Sequence, residues 1–317
     1  MADQPKEASI PLRSLAEEEP PPLTLRQLFW RRFRRHKMAL FGLVMLFLLV
    51  VYAVGGSLFF SEAYANYNDT KKILQPPSRG HPFGTDTVGR DILARTIYGG
   101  QISLLIGIAA MLVEVTLGVV IGALAGYYGG LLDSLLMRFT EAMLVIPQLF
   151  LLIVMAKYFG GQVPNITLLG REFSGSVVVI IFIIGVTSWM YLARIVRAEF
   201  LSIKEREYVL AARAIGTSNL QIILQHILPN TIAPIVVAAT LSVANAITLE
   251  AYISYLGLGV QTPTATWGNI LERAANYIET APWLWFFPGT LIVLTVLSIN
   301  FVGDGLRDAL DPRSLAR

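Results

Sequence analysis

There is no cysteine among the 317 residues. That absence excludes disulfides, thiolate metal sites, iron–sulfur ligation and cysteine nucleophiles. Charge is scarce too: Asp, Glu, Lys and Arg make up 15% of the chain, against roughly 25% in an ordinary soluble protein. Of those 47 charged residues, 13 lie in the first 37 positions, which leaves the remainder poorer still. The three histidines, His36, His81 and His226, are far apart and lack the His-Glu-x-x-His spacing of a zinc hydrolase. No lysine follows a glycine, so no Walker A loop is present. No Gly-x-Ser-x-Gly elbow occurs either. The chain therefore reads as no enzyme, with no cofactor or metal of its own. A net charge of +3 gives nucleic-acid binding little support.

What is present is apolar: 54% of residues are hydrophobic, and the mean hydropathy is +0.58. This composition describes an all-α polytopic membrane protein. About 20 apolar residues cross a bilayer as a helix, and Met38 to Phe60 contains no charge at all. Further spans are expected at Ile102 to Tyr127, Ala142 to Tyr158, Ser176 to Ala193, Thr231 to Leu249 and Trp283 to Val302. The first span is too long for a signal-peptide core and no small-residue cleavage pattern follows it. Six transmembrane helices put both ends on one side. With that side cytoplasmic, the inner segments carry 17 Lys and Arg and the outer ones 8. The positive-inside rule then makes both N- and C-termini cytoplasmic.

This gives a domain plan. Residues 1–23, with Glu17-Glu18-Glu19 and Pro20-Pro21-Pro22, form a disordered cytoplasmic tail with too little apolar surface to order itself. Residues 24–37 form an amphipathic basic helix capped by Thr24. Its Leu25, Leu28, Phe29 and Phe33 are placed toward lipid and its arginines toward headgroups. The first span takes 38–60, an external segment 61–101, the core of spans two to six 102–302, and a second cytoplasmic tail 303–317.

The inner segment 194–230 is too long for a tight turn. Glu205 to Ile215 are mostly helix formers, and Gly216 suits the left-handed position that ends a helix. Thr217 or Ser218 can cap a second helix, in which Leu220, Ile223, Leu224 and Ile227 recur at helical spacing up to Pro229. Ala211, Ala212 and Ala214 give the first helix a small-residue surface. That surface either packs on the membrane domain or lets another protein approach closely.

The same run resembles the EAA loop of binding-protein-dependent ABC transporter permeases. In that pattern Glu-Ala-Ala is followed by three residues, Gly, nine residues, Ile, one residue and Leu-Pro. Ala211-Ala212, Gly216 and Leu228-Pro229 fall in register, with Leu210 in place of the glutamate and His226 in place of the isoleucine. Glu205 or Glu207 could substitute for the missing charge. Further segments are similar to the dipeptide and oligopeptide branch, in particular its second permease subunit. These are His81-Pro82-Phe83-Gly84-Thr85-Asp86 with Gly89-Arg90-Asp91, Tyr127-Tyr128-Gly129-Gly130, Ser254 to Val260, Trp267-Gly268, and Gly303 to Arg313.

The resemblance implies a type I ABC importer permease of a bacterial inner membrane. It implies these partners: a second homologous permease, two cytoplasmic ATP-binding subunits, an extracytoplasmic peptide-binding protein and the lipid bilayer. The helix from Tyr208 to Gly216 would sit in a groove of an ATPase, and a charge in place of Ala212 would disturb that contact. A nickel importer of the same branch remains an alternative, as does an ion-coupled secondary transporter.

Outside, Asp69 to Arg95 and Gly257 to Pro282 are where a binding protein could rest, and Trp267, Trp283 and Trp285 suit an interfacial aromatic belt. In span two, Glu114 falls about 18 Å from Ile102 at roughly 1.5 Å per residue, near mid-membrane. Such a carboxylate is costly there. It either lines the pathway and meets a cationic group or bonds to a neighbouring helix. Glu250, ahead of the Leu-Gly-Leu-Gly turn, reads as an anchor. Gly118, Gly122 and Gly126 form a stripe that permits close helix approach, and Pro147, Pro234 and Pro288 are expected to kink their spans.

Overall fold

A computed structural model describes residues 24–168 and 171–310. The tail expected at 1–23 and residues 311–317, including Asp311-Pro312-Arg313 of the last motif, lie outside the described residues.

Helix α1 (Leu25–Phe33) opens with a reciprocal cap: Thr24 Oγ1 accepts from the Gln27 amide at 3.3 Å and the Gln27 side chain accepts from the Thr24 amide at 3.0 Å. It ends at Phe33 rather than Lys37, because His36 starts a new helix by accepting the Ala39 amide on Nδ1 at 3.0 Å. Phe33 is buried against Ala39 and Ala309, with Phe29 packed beside them. These two rings therefore meet protein, where the amphipathic pattern had placed them toward lipid. The side chain of Leu25 is not among those described.

Helix α2 (Lys37–Gly55) is followed by the short α3 (Glu62–Asn66) and then by α4 (Ile92–Tyr128). At 37 residues, α4 is about 55 Å long by the helical rise, nearly twice a bilayer's hydrocarbon thickness. It starts ten residues before the expected span, capped by Asp91, whose Oδ1 accepts from the Ala94 amide at 2.8 Å.

Two of the expected spans are broken. Helices α5 (Gly130–Val145) and α6 (Gln148–Phe159) meet at 85° across Ile146-Pro147. Beyond a small hairpin of β1 (Ile166–Leu168) and β2 (Arg171–Phe173), α7 (Ser176–Ser188) and α8 (Met190–Ile203) meet at 45° across Trp189. The breaks support each other: Gln148 Nε2, from the first residue of α6, donates to Thr187 O at 3.1 Å and Ser188 Oγ at 2.9 Å. That donor meets polar groups beside the bend, which would otherwise lack partners in an apolar surround.

Next come α9 (Glu207–Ala214), α10 (Asn219–Gln221) and α11 (Ile232–Tyr255), with a π-turn at Ile222–Ile227 and a 3₁₀ turn at Leu228–Thr231 between the last two. The run from Asn219 to Tyr255 is continuous. Pro234 sits in the first turn of α11, and Pro288 lies inside α13 (Trp283–Leu310), which continues through it. Only Pro147 of the three expected kinks coincides with a break. The short α12 (Trp267–Ile270) closes one end. Among the described residues four helices are long and apolar enough to cross a membrane, and up to six spans result if each bent pair counts as one.

Helix α4 forms the axis, packed by α2, α7, α8 and α11, while α13 packs on α2 and α11. The glycine stripe faces α8. A Cβ on Gly118 would lie 2.9 Å from Leu192 Cβ, on Gly122 2.5 Å from Ala193 O, and on Gly126 2.6 Å from Phe200 Cβ. No side chain fits in those gaps, so the two helices run parallel in direct backbone contact.

Candidate functional site

The segment from Lys204 to Asn230 is built as its sequence suggests at the turn. Gly216 takes a left-handed φ of +85°. Its amide donates to Arg213 O and the Thr217 amide to Ala212 O, both at 3.1 Å. This paired pattern satisfies the last carbonyls of α9 and needs glycine because other residues resist that backbone region. Ser218, not Thr217, caps α10, accepting from the Gln221 amide at 3.4 Å.

Val209 and Ala212 are buried in an apolar cluster with Val196, Phe200, Ile222 and Ile227. The side chain of Ala212 therefore points into its own subunit. Ala211 and Gly216 are exposed. Around them stand Tyr208 at 45% exposure, Leu210 at 43%, Ile215 at 84%, Leu220 at 66% and Leu224 at 51%. Leu228 packs against the buried cluster and Pro229 is exposed. Sequence reasoning missed Ile215, Leu220 and Leu224 as surface groups; apolar residues on either side of a helix-ending glycine were the available signal. Glu205 and Glu207 are both exposed where α9 begins.

The segment is fastened to α4. Tyr127 Oη donates to Asn219 Oδ1 at 2.7 Å, Lys204 Nζ donates to Gly126 O at 3.0 Å, and the Arg213 guanidinium stacks 5.8 Å over the Tyr127 ring. Arg197 makes a two-pronged pair with Asp133, joining α8 to α5.

Glu114 is 7% exposed and accepts from Ser242 Oγ of α11 at 2.6 Å on Oε1. It also borders a cavity of about 490 Å³ shaped by both helix breaks, with Pro147, Gln148 and Ser188 in its wall. The carboxylate thus bonds to a neighbouring helix, one of the two sequence readings, and also faces an open space.

At the opposite end the loops are locked by buried polar groups. Asp91 Oδ2 pairs with His81 Nδ1 at 2.7 Å, and Asp86 accepts from the Val88 and Arg90 amides at 2.9 Å and from Arg90 Nε at 2.6 Å. Arg95, buried, donates to Asn66 Oδ1 at 3.2 Å. Glu250 is completely buried, accepting from Ser254 at 2.7 Å and Ser103 at 3.2 Å. Trp267 is a core residue rather than part of a belt: it is fully buried and its indole donates to Thr96 O at 2.8 Å. Trp283 donates to Thr85 O at 3.1 Å, and Trp285 is exposed. Among the described residues no group of His, Asp and Glu is placed to hold a metal.

Known proteins share this plan. Residues 118–315 match the family described as binding-protein-dependent transport system inner membrane component, and residues 24–77 match the N-terminal TM domain of oligopeptide transport permease C. The oligopeptide transport system permease protein OppC of Haemophilus influenzae is 42% identical over 284 residues, covering 89% of this chain and 87% of that protein. The dipeptide transport system permease protein DppC of Bacillus subtilis is 40% identical over 295 residues, covering 92% and 87%. Among solved structures, an inward-facing MetNI methionine ABC transporter superposes with a TM-score of 0.53 at 20% identity, covering 67% of this chain and 94% of that one, which is a likeness of fold. The family match over residues 118–315 and relatives at about 40% identity over most of the chain agree, and the chain belongs to the binding-protein-dependent transport system inner membrane components, the integral membrane permeases of ABC importers.

Proposed function

We propose that this chain is the second permease subunit of an importer of dipeptides or oligopeptides, with both termini cytoplasmic. It forms the translocation pathway with a homologous permease, receives peptide from an extracytoplasmic binding protein, and is driven by two cytoplasmic ATP-binding subunits. The peptide names of the relatives support this cargo over nickel.

The observation that carries the mechanism is the exposed apolar face of α9 and α10 on a segment tied rigidly to α4 and packed on α8. Tyr208, Ala211, Gly216 and Pro229 belong to that docking face, joined by Ile215, Leu220 and Leu224; Ala212 and Leu228 hold it from behind. An ATPase seated there moves α8 through Val209 and Ala212, and α8 moves α4 through the glycine stripe. Work is transmitted only if the docked contact differs in energy between the inward-open and outward-open states. Glu114 lines the pathway at the level of the helix breaks, where a change of bend opens or closes it.

Purification of the tagged chain from its native membrane in mild detergent, with partners identified by mass spectrometry and peptide uptake measured after reconstitution, tests the proposal. Stoichiometric recovery of a second permease and ATP-binding subunits with ATP-dependent uptake of a labelled tripeptide is expected. Recovery of this chain alone, or of a complex that carries nickel and no peptide, would overturn it.

A further inference from the structure

The Glu114 cavity has one carboxylate and no base. Besides Glu114 its wall contains the uncharged polar residues Gln148, Thr187, Ser188, Tyr191, Ser242 and Asn245, with no Lys or Arg. Only Oε1 of Glu114 is satisfied, by Ser242; Oε2 has no partner among the described residues. A carboxylate at this depth is costly unless a counter-charge or donor arrives, and the protein around it supplies none beyond one hydroxyl.

A second cavity of about 630 Å³ adjoins the first, since Tyr191 and Ile195 of α8 border both. Its charged groups are Glu141, Arg194 and Arg197. Arg197 is committed to Asp133, and Glu141 accepts from Arg138 at 3.3 Å. Arg194 is exposed and has no partner among the described residues. The parallel packing of α4 and α8 fixes the order. Gly118 faces Leu192 and Gly122 faces Ala193, so Arg194 lies roughly seven or eight residues beyond Glu114 along α4, about 12 Å at 1.5 Å per residue. The ends of a short extended peptide of three or four residues are about that far apart, at roughly 3.4 Å per residue.

We propose, resting on the peptide reading above, that these two cavities form a bipolar site for a peptide in transit. Oε2 of Glu114 takes the N-terminal ammonium, and Arg194 takes the C-terminal carboxylate. The amides of Gln148 and Asn245 and the hydroxyl of Ser188 line the ammonium end without competing charge. Side chains of the cargo are not read at either pole, which suits a carrier of many peptides sharing the same two ends.

The absence of cysteine makes the test direct. Asn245→Cys places the chain's sole thiol in the first cavity. In the assembled complex, its modification by a small methanethiosulfonate is followed on this chain by mass spectrometry. The competitors are millimolar Ala-Ala-Ala, its N-acetyl form and its C-terminal amide. The expected result is at least a fivefold slowing by Ala-Ala-Ala, little by the N-acetyl form, and an intermediate effect by the amide. Glu114→Gln should abolish the protection, while Glu114→Asp keeps part of it. Arg194→Gln, on an exposed side chain, should make Ala-Ala-Ala and its amide equivalent; it reads the second pole even if Glu114→Gln does not assemble. Equal protection by the acetylated and free peptides, or protection unchanged in Glu114→Gln and Arg194→Gln, would overturn the site. Peptide uptake by the unmodified complex is measured alongside. Uptake without the protection pattern removes the bipolar site and leaves the peptide reading standing, whereas no uptake of any peptide removes both.

Discussion

The two ends of the molecule differ in how many of their buried groups are polar and in how much apolar surface they leave open. At the α12 end, buried charges and indoles lock the loops: His81 to Asp91, Asp86 to Arg90, Glu250 to Ser103 and Ser254, and Trp267 to Thr96. At the α9 end, a buried apolar stripe of Val209 and Ala212, backed by the Tyr127–Asn219 and Lys204–Gly126 hydrogen bonds, holds a segment whose other face is open. Polar locks are directional and fail when shifted by an ångström, so the α12 end keeps one shape and suits a fixed platform. Close apolar packing transmits displacement, and a segment packed on one face and open on the other can pass on the movement of whatever covers the open face. The difference teaches that, on the proposed function, the task would be divided along α4: reception at the polar-locked end, actuation at the end with the open face.

Substitutions break or sharpen this comparison in a definite order. The largest effect is expected from Ala212→Asp, which puts a carboxylate without a partner into the cluster of Val196, Phe200 and Ile222. It should cost about 3–5 kcal/mol and release the α9 segment, visible as a new protease cut between residues 204 and 218 in the purified chain. Next is Gly122→Leu, whose Cβ would meet Ala193 O at 2.5 Å. Overpacking there should cost about 3 kcal/mol and lower the melting temperature in detergent while cutting the two ends apart mechanically. At the opposite end, Asp91→Asn removes the negative partner of His81 while its amide oxygen can still cap α4. A loss of about 1–3 kcal/mol from that buried charge-assisted bond is expected, with faster hydrogen exchange confined to residues 81–97. The smallest effect on stability belongs to Ala211→Asp, on the exposed face. It should change the melting temperature of the isolated chain by an amount corresponding to less than about 0.5 kcal/mol, yet reduce recovery of ATP-binding subunits in pull-downs. The pair Ala211 and Ala212, adjacent in sequence, thus separates docking from folding.

The legible parts of this molecule were those decided by local chemistry. Charge-free runs located the apolar helices because lipid leaves no other way to satisfy backbone groups, and Gly216 marked its turn because few residues accept a positive φ. Gly118, Gly122 and Gly126 announced a close contact but not with which helix; that α8 is the partner depends on the whole packing. The 45° break at Trp189 has no proline or glycine to signal it, and it is accompanied by Gln148, a residue 40 positions earlier. Nor could spacing tell Ala211 from Ala212, since both suit a small-residue surface and only the position of Phe200 and Ile222 decides which one turns inward. Phe29 and Phe33 misled for the same reason: an amphipathic pattern shows that a face is covered, while α13 rather than lipid covers it.

The central claim, that the open face of α9 and α10 is the seat of an ATP-binding subunit, has one direct test. Ile215→Cys places a thiol on the most exposed residue of that face, at 84% exposure, in a chain with no other cysteine. Its maleimide labelling rate is compared between the isolated chain and the complex purified with its ATP-binding partners. The account predicts at least tenfold slower labelling in the complex, restored when those partners are stripped away. Equal rates in the isolated chain and the assembled complex would contradict it.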